Sequence, residues 1–361
     1  MEKFLILDIG AGTMDILFYD GGTNLHYKAV VKSPVRSIAE KAAALSGHLL
    51  VTGVEMGGGP VTQILTDRAK VADVVMSASA AATIHHDCER VRSLGIKILE
   101  DSEAEELKKD TRYQHLTVGD LEPDRLEPII RGLGVPFSFD AVGICAQDHG
   151  VPPANVSHLD FRHNIFKALL DGNPFPEALL YRKDELPVTF SRLSSIARMA
   201  DMFDCKEIYV MDSGMAAILG ASLDPHAMNV ERVIVLDVAT SHTVCAALEQ
   251  GEIAGFFEYH TKDITLDLLE ALLFQLTEGK LEHERVLQKG GHGAYIRKAF
   301  GSQSDDRIIA TGPKRSLVSH SRLPMLFGAP LGDNMMTGTL GVLEAIRRRN
   351  GLDPLIGRTY R

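Results

Sequence analysis

The segment Asp8-Ile9-Gly10-Ala11-Gly12-Thr13 combines an acid, two glycines and a hydroxyl at a spacing suited to phosphate. Without a Cβ, Gly10 and Gly12 let backbone N–H groups come close to an anion. The Thr13 hydroxyl adds a donor. Asp8 would repel a bare phosphate. It fits if a divalent cation lies between them, because Mg2+ takes carboxylates, waters and phosphate oxygens together. Asp15 is spaced to hold a water or that cation's outer shell. The competing reading of the segment is a plain β-hairpin with a glycine turn.

The pattern returns about 230 residues later. Phe4-Leu5-Ile6-Leu7-Asp8-Ile9-Gly10 is echoed by Val233-Ile234-Val235-Leu236-Asp237-Val238-Ala239. Each is a buried strand, an acid, a turn of small residues and a returning strand. That period is far too long for a solenoid. It suits two related domains facing each other, each presenting one hairpin to a central cleft. Asp8 and Asp237 would then set the metal. Gly10, Gly12 and Thr13 would hold phosphates, with Thr240, Ser241 and Thr243 opposite. The second turn lacks the glycines of the first, so its Cβ atoms limit backbone approach. His242 either replaces a lost contact or faces solvent.

Other clusters carry weaker signals. Gln147-Asp148-His149-Gly150 follows a buried-strand pattern, where Asp148 is the candidate general base or a satisfied loop acid. Gly57-Gly58-Gly59-Pro60-Val61-Thr62 precedes a helix pattern and reads as an anion site or a connector. No Gly-Lys-Ser/Thr follows it, so it is not a Walker A loop. Gly290-Gly291-His292-Gly293 reads as a loop or as packing against nucleotide, and Lys314-Arg315 as exposed charges or as ribose or phosphate contacts. His85-His86-Asp87 falls on a helix pattern over 78–94, where adjacent histidines point about 100° apart and chelate poorly. His149, His158 and His163 form a second metal candidate. Met335-Met336 reads as core.

The elements that must position these groups alternate between strands and helices, which indicates α/β architecture. Strands are expected near 49–52, 71–77, 96–99, 139–145, 208–211, 243–248, 253–257 and 308–310. Helices are expected near 36–46, 60–68, 191–202, 215–221, 266–277 and 337–349. Residues 101–132 read as a charged surface stretch, and 151–187 as loop with a short helix near 163–170. The chain has 361 residues, 38 Lys plus Arg and 48 Asp plus Glu, giving a net charge of −10. That balance disfavours general binding to nucleic acid or an anionic membrane. The four cysteines, Cys88, Cys145, Cys205 and Cys245, show no CxxC spacing, which excludes zinc-ribbon and iron–sulfur motifs. Scattered cysteines, no secretory leader pattern and no long apolar run lead us to expect a cytoplasmic protein.

In their order, these segments resemble those of the actin-like ATPase superfamily, which includes actin, Hsp70 chaperones and sugar kinases. Asp8 to Asp15 resembles its first phosphate motif and Asp237 to Thr243 its second. Asp212 to Gly220 resembles the first connecting helix, where small residues let two helices cross. Ile308-Ile309-Ala310-Thr311-Gly312-Pro313 resembles the adenosine motif, which would bring Gly312 to the adenosine. Gly338 to Ala345 resembles the second connecting helix. Gln147 to Gly150 is similar to a loop that sugar kinases place near their sugar. More narrowly, the chain resembles a prokaryotic family labelled pyruvate formate-lyase activating-like. That label implies radical chemistry on an iron–sulfur cluster, which the cysteine spacing does not support.

The resemblance implies two RNase-H-like α/β domains around a nucleotide cleft, with chain crossings near 205–225 and 330–345 as the hinge. The expected division is 1–224 and 225–335, with 336–361 returning to the first domain. The implied ligands are ATP and Mg2+. The expected activity is a phosphotransferase or ATPase acting on a small molecule or a protein partner. The alternative is a nucleotide-gated binding protein without significant turnover. Self-association is left open.

Overall fold

The computed structural model describes residues 2–355 apart from 154, 229, 304 and 305. Residues 356–361 of the expected returning segment therefore lie outside the described residues. The chain opens with an antiparallel meander of β1 (Lys3–Ile9), β2 (Thr13–Asp20) and β3 (Leu25–Lys32). β1 is apolar at almost every position, as a strand covered on both faces must be.

An inserted unit follows. It comprises α1 (Pro34–Ala44), β4 (His48–Gly53), α2 (Pro60–Ala69), β5 (Val74–Ser77), α3 (Ala78–Ala81), α4 (Cys88–Ser93), β6 (Lys97–Leu99), α5 (Asp101–Leu107), β7 (Tyr113–Val118) and α6 (Pro123–Gly132). Its four strands form a separate parallel sheet in the order β6-β5-β4-β7. Leu49 and Val51 enter one apolar cluster and Leu50 another, as strand alternation requires.

The first large sheet is then completed by β8 (Phe139–Ala146), α7 (His158–Gly172), β9 (Leu180–Arg182), α8 (Ser191–Met199), β10 (Cys205–Asp212) and α9 (Ser213–Ser222). Its order is β3-β2-β1-β8-β10-β9, with β8 parallel to β1 and to β10. The second large sheet comes from β11 (Arg232–Val238), β12 (His242–Glu249), β13 (Glu252–His260), α10 (Leu266–Glu278), α11 (His283–Gln288), β14 (Gly291–Ile296), β15 (Arg307–Thr311) and β16 (Met325–Phe327). Its order is β14-β13-β12-β11-β15-β16. The plan repeats: a central strand carrying an acid near its end, antiparallel partners on one side and parallel ones on the other, with β9 added antiparallel at the edge of the first sheet. The last helix, α12 (Thr337–Arg349), returns to pack on β1 and β8.

α9 and α12 cross between the two sheets at Gly220 and Gly341. A Cβ on Gly341 would fall against the Ala216 carbonyl, and one on Gly220 against the Thr337 carbonyl. Only hydrogen at both positions permits this approach.

Four local expectations need correction. Residues 101–132 are not mere surface: they supply α5, β7 and α6, and β7 pairs with β4 along its length. The helix pattern over 78–94 breaks after Ala81. Thr83 turns its hydroxyl to the Met56 N–H, and the Asp87 carboxylate starts α4 by accepting from Glu89 N–H. The helix expected over 163–170 spans 158–172, capped by Ser157. The 290–293 cluster is no loop, because Gly291 opens β14.

Candidate functional site

Each sheet delivers one tight hairpin to the same place. In the first, Gly10 N–H donates to the Thr13 carbonyl at 3.0 Å. In the second, Ala239 N–H donates to the His242 carbonyl at 3.1 Å. Thr13 and His242 thus occupy matching positions, and so do Met14 and Thr243. The turns line a cavity of about 640 Å³ between the sheets, together with Asp8, Asp15 and Asp237.

Asp8 and Asp15 face each other across the β1–β2 ladder. Asp8 also abuts Gly338 at the start of α12, where a Cβ would collide with its carboxylate. Burial first, and for Asp15 the charge of Asp8 next, pushes both acids above the ordinary carboxylate range. Burial does the same to Asp237, raising it to about 7, even though Thr311 donates to its Oδ1 at 2.9 Å. Asp15 Oδ1 is buried without a hydrogen-bond partner. Arg192 is the one Lys or Arg among the described residues that line this cavity. The three carboxylates share one cavity, one of them with an orphaned oxygen, but are spread too widely to ligate one ion directly together; a hard cation that keeps its waters would span them.

The other expected residues fall in several places. Thr240 and Ser241 line the cavity. Thr243 does not: it is fully buried, and its hydroxyl pairs with Thr261 Oγ1 at 3.0 Å, because alternation along β12 turns it inward. Gly312 sits behind Asp237 in a left-handed conformation (φ +87°), and its carbonyl accepts from Asn334. Its neighbour Pro313 lines the cavity.

Asp148 lines the cavity, but its oxygens are committed. Oδ1 accepts from Gly150 N–H at 2.7 Å and Oδ2 from Leu193 N–H at 2.9 Å. The second bond caps α8, whose own N-cap, Phe190, offers no side-chain acceptor. Burial raises Asp148 to about 6, against the pull of those two N–H groups. This geometry makes Asp148 an anchor for the 147–150 loop.

Long-range contacts complete the cavity in ways no local pattern announces. Arg162 on α7 donates to Asp212 at 3.0 Å and to Glu258 on β13 at 2.6 Å, all three being buried. Gln147 donates to the other oxygen of Glu258. Burial opposes ionisation of Glu258, yet Arg162 and the neighbouring histidines bring it down to about 2. This charge network ties the first sheet to the second. On the inserted unit, His86 sits 3.0 Å from both Glu55 and Ser191, its basicity raised mainly by the bond to Glu55. Arg192 grips the fully buried Asp120 through two nitrogens and donates to the Gln147 carbonyl. Gly57, Gly58, Gly59 and Pro60 also face the cavity, at the start of α2.

The histidine expectations need correction as well. His85 and His86 lie in the break before α4, not on a helix. His149, His158 and His163 do not converge. His158 lies beside His85 and His86, His163 stacks on His283 at 3.7 Å, and His149 lies nearest His292. A different trio, His242, His260 and His292, comes together.

Two sheets of one plan, two crossing helices between them and paired acid-tipped hairpins over one cleft define an actin-like ATPase fold. A family model described as "Putative pyruvate format-lyase activating enzyme (DUF1786)" matches residues 56–317, and the chain belongs to that family. No curated protein matches it in sequence. Among solved structures it is similar to a Bacteroides thetaiotaomicron protein with actin-like ATPase fold and unknown function, at 8% identity over 88% of this chain and 86% of that one, with a TM-score of 0.32. It is also similar to the ethanolamine utilization protein EutJ from Carboxydothermus hydrogenoformans, at 11% identity over 95% and 89%, with a TM-score of 0.33. A third is the PilM–PilN type IV pilus biogenesis complex, at 12% identity over 97% and 98%, with a TM-score of 0.38.

The iron–sulfur cluster that an activating-enzyme label would imply does not fit this donor set. Cys145 and Cys245 are buried in different sheets, and Cys88 lies on α4. Among the described residues no cysteine joins a metal-holding group. Nor, among them, is any helix long and apolar enough to cross a membrane.

Proposed function

We propose that the cleft binds a magnesium–nucleotide complex, ATP before reaction, and transfers its terminal phosphoryl group to a small polar acceptor or to water. The observation that carries this reading is the unpartnered Asp15 Oδ1 beside Asp8 and Asp237, on two hairpins that converge from separate sheets. Those three acids would hold Mg2+ through its water ligands, with no more than two of them touching the ion. When bound, the ion supplies charge neutralisation at the phosphates. The Gly10–Thr13 turn presents backbone donors to one side of the phosphate chain, and Thr240 with Ser241 presents hydroxyls to the other. Gly312 and Pro313 support the adenosine end. Phosphoryl transfer asks mainly for positioning and charge neutralisation, which these groups provide.

The pocket of Glu55, His86 and Arg192 lies on the same cavity wall and suits a hydroxylated or anionic acceptor. His86, held by Glu55, is better placed than the anchored Asp148 to move a proton. Purified protein with Mg·ATP and a panel of polar metabolites tests the reading. Acceptor-stimulated ADP release is expected. ADP release that no acceptor changes would overturn transfer to a small molecule. A melting temperature unmoved by any Mg-nucleotide would overturn nucleotide binding itself.

A further inference from the structure

Three adjacent strands, β12, β13 and β14, each carry an imidazole at the sheet end nearest the second hairpin. His242 opens β12 and stands opposite His260, the last residue of β13. Between β13 and β14 the register shifts: Glu258 pairs with Gly293 and Tyr259 with Gly291. His292 is left over as a bulge, the device by which a strand re-aims a side chain. Its glycine neighbours allow this. A Cβ on Gly291 would strike the Tyr259 ring, and Gly293 has φ +139°.

The rings of His260 and His292 are 4.2 Å apart, those of His242 and His292 4.6 Å, and those of His242 and His260 4.7 Å. One nitrogen from each lies within 4.8 Å of the other two. His260 Nε2 and His292 Nε2 are only 3.0 Å apart. His242 Nε2 and His292 Nδ1 are buried with no hydrogen-bond partner. Packing three neutral imidazoles together, each with one lone pair and with His242 Nε2 unpartnered, is costly unless something takes those lone pairs.

We propose that His242, His260 and His292 form a binding site for one divalent transition-metal ion of the zinc class, with its open coordination position facing the cleft. Zn–N bonds of about 2.0–2.1 Å in a tetrahedron set ligand nitrogens roughly 3.3 Å apart, close to the observed His260–His292 spacing. Three imidazoles with no thiolate suit Zn, Cu, Fe or Ni rather than Mg. Glu258 Oε1 lies 3.8 Å from His292 Nδ1, so a small rotation of that ring on metal binding would bring the acid into place as its outer partner. His242, His260 and Glu258 all line the cavity, so an oxygen ligand entering the cleft reaches the fourth position. The site is separate from the aspartates of the proposed nucleotide site and stands whether or not nucleotide binds.

Untagged full-length protein, stripped with a chelator and titrated with Zn2+, tests this. One equivalent per chain with submicromolar affinity is expected. X-ray absorption of the Zn-loaded wild type should show three imidazole nitrogens and no sulfur. His260→Gln and His292→Gln should each weaken Zn2+ binding at least tenfold, while Asp237→Asn leaves it unchanged. Substoichiometric binding by the wild type, a sulfur- or carboxylate-dominated shell, or loss of binding in Asp237→Asn alone would overturn the proposal. The absorption measurement needs only wild-type protein, so a variant that folds poorly does not blunt the test.

Discussion

Gly12 of the first hairpin and Thr240 of the second touch across the cleft: a Cβ on Gly12 would lie 2.8 Å from Thr240 Cγ2. The two turns are therefore neighbours in space, although 228 residues separate them in the chain. Replacing Gly12 by Val should drive them apart and shield the backbone donors of the turn. The expected outcome is at least a tenfold loss of Mg-nucleotide affinity by calorimetry, with little change in melting temperature without ligand. Unchanged affinity would remove the turn from the site.

Among the described residues, Arg162 is the one cation paired with both Asp212 and Glu258. Arg162→Met would leave two buried carboxylates without their partner, and breaking such a network costs about 3–5 kcal/mol. Denaturant unfolding should show a loss of that size. A loss under about 1 kcal/mol would mean the network contributes little.

Asp148→Asn separates an anchor from a base. One backbone N–H, on Leu193 or Gly150, would face an amide nitrogen instead of oxygen, costing about 1–3 kcal/mol. Nucleotide affinity should stay within about threefold of wild type, and turnover should persist. Turnover lost at unchanged stability would restore Asp148 as a base.

His163, stacked on His283, carries a pH signature. Burial, then the nearby His283 and Lys167 charges, lowers it from 6.5 to about 4. Between those values the unfolded chain holds a proton that the folded chain does not, so stability falls as pH drops through that window. The wild-type melting temperature should therefore decline more steeply from pH 7 to 5 than that of His163→Gln. Parallel declines would contradict this.

Gly341→Ala places a methyl against the Ala216 carbonyl at the α9–α12 crossing. Overpacking at a backbone contact costs at least about 1–3 kcal/mol, so the melting temperature should fall clearly. A neutral effect would mean the crossing is looser than described.

The fold was legible because both corner strands carry their own signature: four apolar residues, an acid, then a turn of small residues. The small residues of α9 and α12 announced their crossing in the same local way. The inserted sheet was less legible. β7 is half exposed and mixed in sequence, so only its pairing with β4 reveals it as a strand. The break after Ala81 depends on Thr83 meeting Met56, a tertiary bond that the helix-forming sequence does not foretell. At the site, the two hairpins were readable, but the run of hydroxyls does not show that strand alternation turns Thr243 inward to Thr261. Arg162, Glu258, Glu55 and Arg192 gave no local signal, because each acquires its role from a partner 72 or more residues away, save Glu55, whose partner His86 is 31 residues away. The histidine trio was hidden by the bulge that singles out His292.

The central claim is that carboxylates from two separate sheets jointly hold one magnesium–nucleotide complex. Calorimetric titration of ADP, with and without Mg2+, into wild type, Asp8→Asn and Asp237→Asn tests it most directly. One Mg-dependent site per chain is expected in the wild type, with the Mg2+ enhancement lost in each variant. A wild type that binds no nucleotide, or variants that keep the full Mg2+ enhancement, would contradict it.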